Sequence, residues 1–380
     1  MIGNSAMTIM RSCLCVAVAV LAMGQNGGVT GCVPEEVPIE VAAITTLQET
    51  GGRVGWLPDG SRIAFDMKGA DGLNDIYTMA PDGSDVVCLT CDSEVLPERN
   101  IGQPSWHPSG DYLVLQAEDP TLINYPWLPQ DLQDYLETAG IGVNNNVWIL
   151  RADGSESWQV TAIADRLATL HPHFSPDGTR LVWAEAIMQR PGRGLLWTIK
   201  WVDVDVSSGA PVLGEVTTLQ PGNFDLYETH GFSPDGERIV FSAAPGSRDY
   251  FGFEICTCEL DGGSLVQLTH DREWDEHAHF SPDGQFIVWM TSRGIPQEPT
   301  LEDVKTDFWV MQSDGSGARR LTHFNTPGAD EYMPGGAVAG DVDWSPDGQS
   351  LAACIIEKTE RPYAHPTFNA RIDLQLDTDG

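Results

Sequence analysis

The tetrapeptide Ser-Pro-Asp-Gly, or a close variant, occurs six times in this chain, each copy directly after a Trp or Phe and just before a short apolar run. Successive copies are 48 to 68 residues apart. Repetition at this period is typical of a β-propeller, in which every repeat forms one blade. The six copies end at Gly60, Gly110, Gly178, Gly236, Gly284 and Gly348.

The residues of one repeat predict four strands. Pro presets φ near −65°, Asp bonds its own backbone and Gly accepts a positive φ, so the tetrapeptide predicts a tight hairpin. Runs such as 238–241 and 286–289 are almost continuously apolar, as in strands buried on both faces. A second Asp-Gly turn follows a third strand, and the fourth ends in Leu-Thr or Val-Thr. The prediction is an all-β fold, a six-bladed β-propeller of four-stranded blades.

The two ends of the chain predict how the ring is closed. The sixth repeat reaches its third strand at Ala370–Leu376, and the chain ends at Gly380. A fourth strand for that blade is therefore missing from the C-terminal side. Val41–Leu47 resembles the missing strand, so we expect the N-terminal segment to close the ring and leave no exposed edge there.

These motifs resemble the TolB-like β-propeller repeats. The repeats of that family carry the same Phe-Ser-Pro-Asp-Gly turn, followed by an Asp-Gly turn and a Leu-Thr end. They occur in the translocation protein TolB, in the propellers of prolyl-oligopeptidase relatives and in oligogalacturonate lyase. The resemblance covers residues 40–380 and implies the fold. It leaves function open, because the same propeller serves binding proteins, protease gates and a lyase.

The N-terminal residues 1–31 predict a signal peptide. Arg11 precedes an apolar stretch, 12–23, that is too short to span a bilayer. Val29–Cys32 resembles a bacterial lipoprotein box, which predicts lipidation of Cys32. The alternative is ordinary secretory cleavage upstream, which would leave Cys32 as a thiol.

The domain boundaries follow from that signal. Residues 32–39 are a linker and 40–380 the propeller. The predicted location is the periplasm or, through a lipid anchor, the outer membrane or cell surface of a bacterium.

The chain is strongly acidic, with 55 Asp and Glu against 21 Lys and Arg and a net charge of −34. Such a surface repels nucleic-acid phosphates and anionic lipid headgroups, so neither is an expected partner. Membrane contact is expected only through the anchor. The acidic surface serves solubility or, alternatively, its loops bind divalent cations.

Cysteine spacing gives a second structural expectation. Cys88 and Cys91 have the spacing of a local disulfide, and no second pair completes a zinc site. Cys256 and Cys258 point to the same side of one strand and are not expected to bridge each other.

Polar residues collect on the inner strands at one mouth of the central channel. When these strands are aligned on their aromatic residue, a polar side chain stands three positions before it in every blade. Imidazoles and carboxylates that converge from adjacent strands suit Zn²⁺ or Mn²⁺, with Ca²⁺ as a further candidate. The alternative is a polar channel whose side chains are hydrogen-bonded to one another and to water. The candidate ligands are His171, His173, His230, His277, His279, Glu228, Glu276 and Asp341.

Resemblance to oligogalacturonate lyase implies a Mn²⁺ held by several His and one Gln. The stretch 277–280 and Gln103 are the positions here that match this arrangement in part, although they lie far apart in sequence. Aromatic residues in two long loops suit stacking on a sugar or gripping a peptide, or else they pack as the loops' own small core. The candidate ligand contacts are Arg53, Gln103, Tyr125, Trp127 and Tyr250.

Two functional hypotheses follow. The first is an exported, lipid-anchored propeller that acts as a non-catalytic binding or scaffold protein for an envelope protein or glycan. The second is a metal-dependent carbohydrate-active enzyme, similar to a polysaccharide lyase, that uses the His, Glu and Asp side chains of the channel. The sequence has no Gly-x-Ser-x-Gly elbow, so the peptidase activity of the prolyl-oligopeptidase relatives is not implied.

Overall fold

The computed structural model describes residues 37–121, 142–190, 194–246, 250–296, 300, 303–359 and 366–376. They form six antiparallel sheets arranged as the blades of a β-propeller. The all-β, six-bladed prediction is confirmed. The predicted signal peptide, Cys32, Tyr125 and Trp127 lie outside the described residues.

The first three blades follow the order of the chain, each from its inner strand outward. Blade 1 consists of Val54–Trp56, Ile63–Lys68, Asn74–Met79 and Val87–Cys88. Blade 2 consists of Ile101–Trp106, Tyr112–Glu118, Asn145–Arg151 and Ser157–Gln159. Blade 3 consists of Thr169–Phe174, Arg180–Arg190 and Gly194–Asp205, with two short outer strands, Val212–Leu213 and Thr217–Leu219.

The other three blades complete the fold. Blade 4 consists of Tyr227–Phe232, Arg238–Ala243, Glu254–Glu259 and Val266–Gln267. Blade 5 consists of Asp275–Phe280, Phe286–Thr291, Asp307–Gln312 and Arg319–Arg320. Blade 6 consists of Ala337–Trp344, Ser350–Glu357 and Thr367–Leu376, with Ile39–Gln48 as its outer strand. Two short 3-10 turns, Pro221–Asn223 and Tyr250–Gly252, complete the described elements.

The outer strand of blade 6 comes from the start of the chain. Ile39–Gln48 pairs antiparallel with Thr367–Leu376, in a register that places Ile44 opposite Ile372. This is the pairing that the truncated sixth repeat predicts. Its first residue, Ile39, is buried with the blade 5 and blade 6 core around Phe308 and Leu351.

The repeated turns form as expected and satisfy their own polar groups. In blade 3 the Ser175 hydroxyl donates to Asp177 Oδ1 at 2.6 Å, and the Thr179 N–H donates to the same oxygen at 3.0 Å. These bonds lower the pKa of Asp177 to about 2, because they stabilise its carboxylate. Gly178 closes the turn at a φ of +73°, a conformation that side chains other than glycine's rarely adopt.

Tryptophan side chains at the ends of the inner strands connect neighbouring blades. Trp106 Nε1 donates to the Gly55 carbonyl at 3.2 Å, and Trp344 Nε1 donates to the His279 carbonyl at 3.1 Å. A Cβ at Gly55 would lie 2.7 Å from the Pro104 carbonyl oxygen, so the close approach of blades 1 and 2 requires glycine. Inner strands packed this closely bring side chains from several blades together at the axis.

The cysteine expectations are also met. Cys88 and Cys91 form a disulfide, and Cys256, Cys258 and Cys354 are free and buried. Across the described part of the chain, no helix has the length and apolar character needed to cross a membrane.

Candidate functional site

A β-bulge interrupts the inner strand of blades 2 to 6, so that two of its residues face one residue of the second strand. We call the first residue of that pair the bulge position. Bulges turn a side chain out of its regular alternation and are common beside functional sites. Three of these residues have a positive φ, between 47° and 55°, which is uncommon outside glycine. In blades 2 to 6 the bulge positions are Gln103, His171, His230, His277 and Gly340.

In blades 4 and 6 the residue three positions before the aromatic residue is not the structural equivalent of His171. That spacing predicts Thr229 and Asp341 as equivalents of His171, whereas the bulges place His230 and Gly340 there. The Thr229 hydroxyl instead donates to the His171 carbonyl at 3.0 Å. The bulge position is shifted by one residue along the strand in these two blades, so counting a fixed number of residues back from the aromatic residue does not find it.

Three bulge positions on consecutive blades form the imidazole cluster, which we define as His171, His230 and His277. One ring nitrogen from each residue lies within 4.8 Å of the other two. The ring centroids are 5.0 to 5.7 Å apart, and the three side chains belong to residues that are at most 8% exposed. The structure therefore brings together three of the predicted ligands from three strands.

The hydrogen bonds of His230 fix which of its nitrogens carries a proton. Ser242 Oγ donates its single hydrogen to the Asp275 carbonyl at 2.9 Å. Its lone pair must therefore accept from His230 Nε2, which lies 2.7 Å away. His230 Nδ1 is then unprotonated, and it is buried without a hydrogen-bond partner. A buried lone pair of this kind is costly unless a cation or a donor reaches it.

His277 lies between two carboxylates at distances too long for good hydrogen bonds. Its Nδ1 is 3.6 Å from Asp341 Oδ1, and its Nε2 is 3.8 Å from Glu276 Oε2. Burial lowers the pKa of His277 to about 4, which keeps the ring neutral at physiological pH. Burial also lowers the pKa of His230 well below its usual value, and the neighbouring imidazoles add to the effect.

Three carboxylates surround the cluster with different protonation tendencies. Burial would raise the pKa of Asp341, but His277, His171 and Arg53 together lower it to about 2. Glu228 contacts His171 Nε2, and this contact outweighs burial and lowers the Glu228 pKa. The pKa of Glu276 is raised well above its usual value, first by burial and then by the charge of Glu228.

Gln103 supports the cluster from blade 2. Its Oε1 accepts the His171 backbone N–H at 2.8 Å, and its Nε2 lies 3.4 Å from His171 Nε2. The Gln103 backbone N–H in turn donates to Asp66 Oδ2 at 3.1 Å. The other oxygen of Asp66 accepts the Arg53 N–H at 3.2 Å, and Arg53 Nε is 3.8 Å from Asp341.

Asp66 and Ser242 are the site residues that the sequence analysis does not identify. Both lie within the apolar second strands of their blades and are buried. A polar residue inside an otherwise apolar strand was the signal that could have found them, because a buried polar group needs a partner.

The two remaining predicted His ligands form a separate pair. The rings of His173 and His279 are 5.5 Å apart, and His173 Nδ1 bonds the His171 carbonyl at 3.0 Å. Burial lowers their pKa values to about 4 and about 3. Neither His173 nor His279 contributes a nitrogen to the group that one ion could contact. Because the bulge turns the first His of each His-x-His pair away from the second, imidazoles meet across blades and not within one strand.

The imidazole cluster fits a divalent metal ion by its donor chemistry. Nitrogen ligands about 2 Å from a tetrahedral ion lie roughly 3.3 Å apart, so the rings need to approach by about an ångström. The unpartnered His230 Nδ1 and the weakly bonded His277 have nitrogens available for that purpose. The carboxylates of Glu228 and Asp341, whose pKa values are lowered, would supply negative charge. Of the aromatic ligand contacts predicted, Tyr250 starts a 3-10 turn.

Comparison with known proteins supports the fold. The chain matches no family profile. It is 24% identical to an uncharacterized protein of Agrobacterium fabrum over 58% of this chain and 57% of that protein. It is 29% identical to the Tol-Pal system protein TolB of Anaeromyxobacter dehalogenans over 46% of this chain and 35% of TolB. The chain thus spans about half or less of the length of these relatives.

Solved structures agree on the architecture. The structure of a putative TolB from Agrobacterium tumefaciens superimposes with a TM-score of 0.53 at 17% identity, covering 86% of this chain and 90% of that one. TolB from Acinetobacter baumannii gives 0.52 at 15% identity, covering 83% and 64%. The chain is a six-bladed β-propeller whose fold is similar to that of these TolB structures.

Proposed function

We propose that the protein is an exported binding protein of the bacterial cell envelope, and that its binding centre is a divalent metal ion held by His171, His230 and His277. The observation that carries the proposal is the imidazole cluster itself, with three nitrogens within 4.8 Å of one another. Partner binding is supported by the sequence similarity to TolB over nearly half of the chain. The partner class is an envelope protein or glycan.

The donor set favours Zn²⁺ or Mn²⁺ over Ca²⁺. Imidazole nitrogen suits zinc and other transition metals, whereas Ca²⁺ takes six to eight oxygen ligands. Ser242 acts as an outer partner that orients the His230 ring, and Gln103 holds the His171 backbone through its N–H. Such outer hydrogen bonds typically accompany His ligands in metal sites.

Metal analysis of the purified protein tests the centre. After removal of bound metals and reloading with Zn²⁺ or Mn²⁺, we expect one tightly held ion per chain, and a His171→Ala/His277→Ala variant should hold none. His107→Gln is the matched control, because His107 is equally buried but lies in a repeated turn. Absence of stoichiometric metal in the wild-type chain would falsify the metal centre.

Export and anchoring need a separate experiment. If Cys32 carries a lipid, Cys32→Ser should move the protein from the membrane fraction to the soluble fraction without changing its circular dichroism spectrum. A wild-type protein that is wholly soluble, with a mature N-terminus upstream of Cys32, would remove the anchor and leave the metal centre untouched.

A metal-dependent enzyme acting on an acidic polysaccharide is the second candidate. One observation favours it: Glu228 and Glu276 are neighbours whose pKa values are shifted in opposite directions. Environments that drive the pKa values of two carboxyl groups apart in this way are typical of acid and base partners in catalysis. The carboxylate at Glu228 could accept a proton while a protonated Glu276 donates one.

The two candidates are distinguished by an activity assay on the metal-loaded protein. A lyase produces unsaturated sugar ends from polyuronates, which absorb in the ultraviolet. Metal-dependent appearance of that absorbance, lost in Glu276→Gln, would replace the binding function with the enzymatic one. A metal-loaded protein that cleaves no polyuronate supports the binding function.

A further inference from the structure

A second group of acidic side chains lies where blade 4 passes into blade 5, and we define it as the carboxylate cluster. Glu254 starts the third strand of blade 4, Asp271 lies in the crossover, and Asp275 starts the inner strand of blade 5. One oxygen from each lies within 4.8 Å of the other two. Glu254 is 3% exposed and Asp275 is fully buried, so this is not an ordinary solvated acidic surface.

Two buried oxygens of this cluster have no hydrogen-bond partner. Glu254 Oε1 accepts the Arg272 N–H at 2.8 Å, but Oε2 is unpartnered. Asp275 Oδ1 accepts from Trp289 Nε1 at 3.2 Å, but Oδ2 is unpartnered. Leaving two carboxylate oxygens desolvated in one place is expensive unless a cation neutralises them.

Thr269 and Thr291 interact with Asp275, but neither hydroxyl forms a hydrogen bond to its free Oδ2.

The equivalent position in other blades shows that Glu254 departs from the repeat. Asp75 and Asn146 are the second residues of the third strands of blades 1 and 2, and Asp307 is the first residue of that strand in blade 5. Each accepts a hydrogen bond from the hydroxyl of the Thr that follows its outer strand, at 2.7, 3.0 and 3.3 Å. In blade 4 the Thr269 hydroxyl accepts the Ile255 N–H as in the other blades, but the longer Glu254 leaves Oε2 without such a bond. Glu254 Oε1 accepts a crossover N–H, as the side-chain oxygens of Asn146 and Asp307 do in their blades. Only Oε2 takes no part in the blade's own hydrogen bonding.

The charge balance also favours a bound cation. Arg293 contacts Asp271 and offsets one of the three carboxylates. The two unpartnered oxygens belong to the other two, Glu254 and Asp275. From these observations we propose that the carboxylate cluster binds a hard divalent cation, with Ca²⁺ as the preferred ion, since Ca²⁺ is held by carboxylate oxygens and water.

The site is distinct from the imidazole cluster in its donors. Oxygen ligands select Ca²⁺ or Mg²⁺, whereas imidazole selects zinc and similar ions. The two clusters share the inner strand of blade 5, on which Asp275 lies two residues before His277, and Ser242 bonds both His230 and the Asp275 carbonyl. Because their donors differ, Ca²⁺ and Zn²⁺ occupancy can be measured separately.

Terbium luminescence provides the test, since Tb³⁺ replaces Ca²⁺ and is excited by a nearby indole. Trp289, bonded to Asp275, is placed to sensitise it. We expect saturable luminescence from the chelator-treated wild-type protein, its displacement by Ca²⁺, and a rise in melting temperature with Ca²⁺. In Glu254→Gln/Asp275→Asn the Ca²⁺ affinity should fall at least about tenfold, as outer partners of a metal alone already produce such losses.

Two controls make the outcome decisive. Asp75→Asn changes the equivalent blade 1 residue, at a position where blade 2 naturally has Asn146, and should retain Ca²⁺ binding. His230→Ala should lose zinc but keep Ca²⁺. If the double variant does not fold, Glu254→Gln alone takes its place. Absence of saturable Tb³⁺ and Ca²⁺ binding by the wild-type protein, or unchanged binding in the folded variant, overturns the proposal.

Discussion

His107 and His230 are two buried imidazoles at different places in the same repeat. His107 lies in a turn, where its Nδ1 accepts the Ser109 N–H at 3.1 Å and its Nε2 faces the Gly178 carbonyl at 3.1 Å. His230 lies at a bulge, where Nε2 is bonded and Nδ1 is buried without a partner. Burial lowers the pKa of both. A shifted pKa therefore does not distinguish a structural His from a candidate ligand, whereas the unpartnered nitrogen does.

The same contrast holds for carboxylates. Asp177 in a turn receives hydrogen bonds from residues no more than two positions away, and its charge is stabilised locally. Glu276 in the channel is buried beside Glu228, and its pKa is raised. Turn carboxylates such as Asp177 are satisfied by neighbours within a single repeat. Channel residues depend on hydrogen-bond partners from other blades. Some of their polar atoms find no such partner and are available to a ligand.

Removing the outer strand of blade 6 should have the largest effect, because this strand pairs along its whole length with the last strand of the blade. Deletion of residues 33–47 removes the outer strand of blade 6 and exposes the edge of Thr367–Leu376. We expect the melting temperature to fall by roughly 10 °C, corresponding to a few kcal/mol in a chain of this size. Thermal denaturation followed by circular dichroism measures it. Equal stability of the shortened chain would contradict the assigned role of this strand.

Replacing His107 in the turn and His230 at the bulge, one at a time, tests the comparison between the two imidazoles directly. His230→Ala should lower Zn²⁺ affinity by at least about 100-fold, because one of only three imidazole ligands is lost. His107→Gln should leave Zn²⁺ affinity unchanged and lower only the free energy of unfolding, by about 1 kcal/mol, for the lost hydrogen bonds. Isothermal titration calorimetry and denaturant unfolding measure the two quantities. Equal zinc affinity in both variants would remove the distinction between turn and channel.

An outer partner should matter less than the ligand it orients. Ser242→Ala removes the acceptor of the His230 Nε2–H and frees that ring to rotate. We expect Zn²⁺ affinity to fall about 10- to 100-fold, the usual effect of losing an outer hydrogen bond. Ser233→Ala, in the repeated turn of the same blade, is the matched control and should not change zinc affinity. If both variants bind zinc like the wild type, the bond to Ser242 does not orient the His230 ring for metal binding.

The pH dependence of stability is expected to involve Asp343, whose pKa burial raises to about 7. Between pH 4 and 7 the folded protein keeps a proton that the unfolded chain has lost, so this group's contribution to stability decreases as pH rises through that window. Asp343→Asn has no such proton and can still accept the Trp56 N–H. It should be more stable than the wild type at pH 8, by an amount that linkage limits to about 4 kcal/mol for this shift, and equally stable at pH 4.

Melting curves at the two pH values measure this difference. The control is Asp347→Asn, in the adjacent turn, whose pKa is lowered by the Ser345 hydroxyl. That variant should lose stability at pH 8, because the bonds to the carboxylate weaken. A pH dependence that is identical in Asp343→Asn and the wild type would show that the buried carboxyl ionises without cost.

The sequence by itself determined the fold, because its information is local and repeated. Pro, Asp and Gly at fixed offsets specify each turn, and apolar runs specify the strands buried between blades. The short sixth repeat predicted that Val41–Leu47 pairs with the last strand, and in the structure the paired strand is Ile39–Gln48. The Cys88–Cys91 disulfide followed from spacing within three residues.

Only the tertiary structure decided which polar residues share a site. The bulges move His230 into line with His171 and His277, a shift of one residue that the spacing to the aromatic does not record. The partners Asp66 and Ser242 come from second strands, and the carboxylate cluster joins residues of two blades. These contacts depend on how blades pack about the axis. A sequence pattern with a period of one blade cannot specify them, because each contact joins different positions of neighbouring repeats.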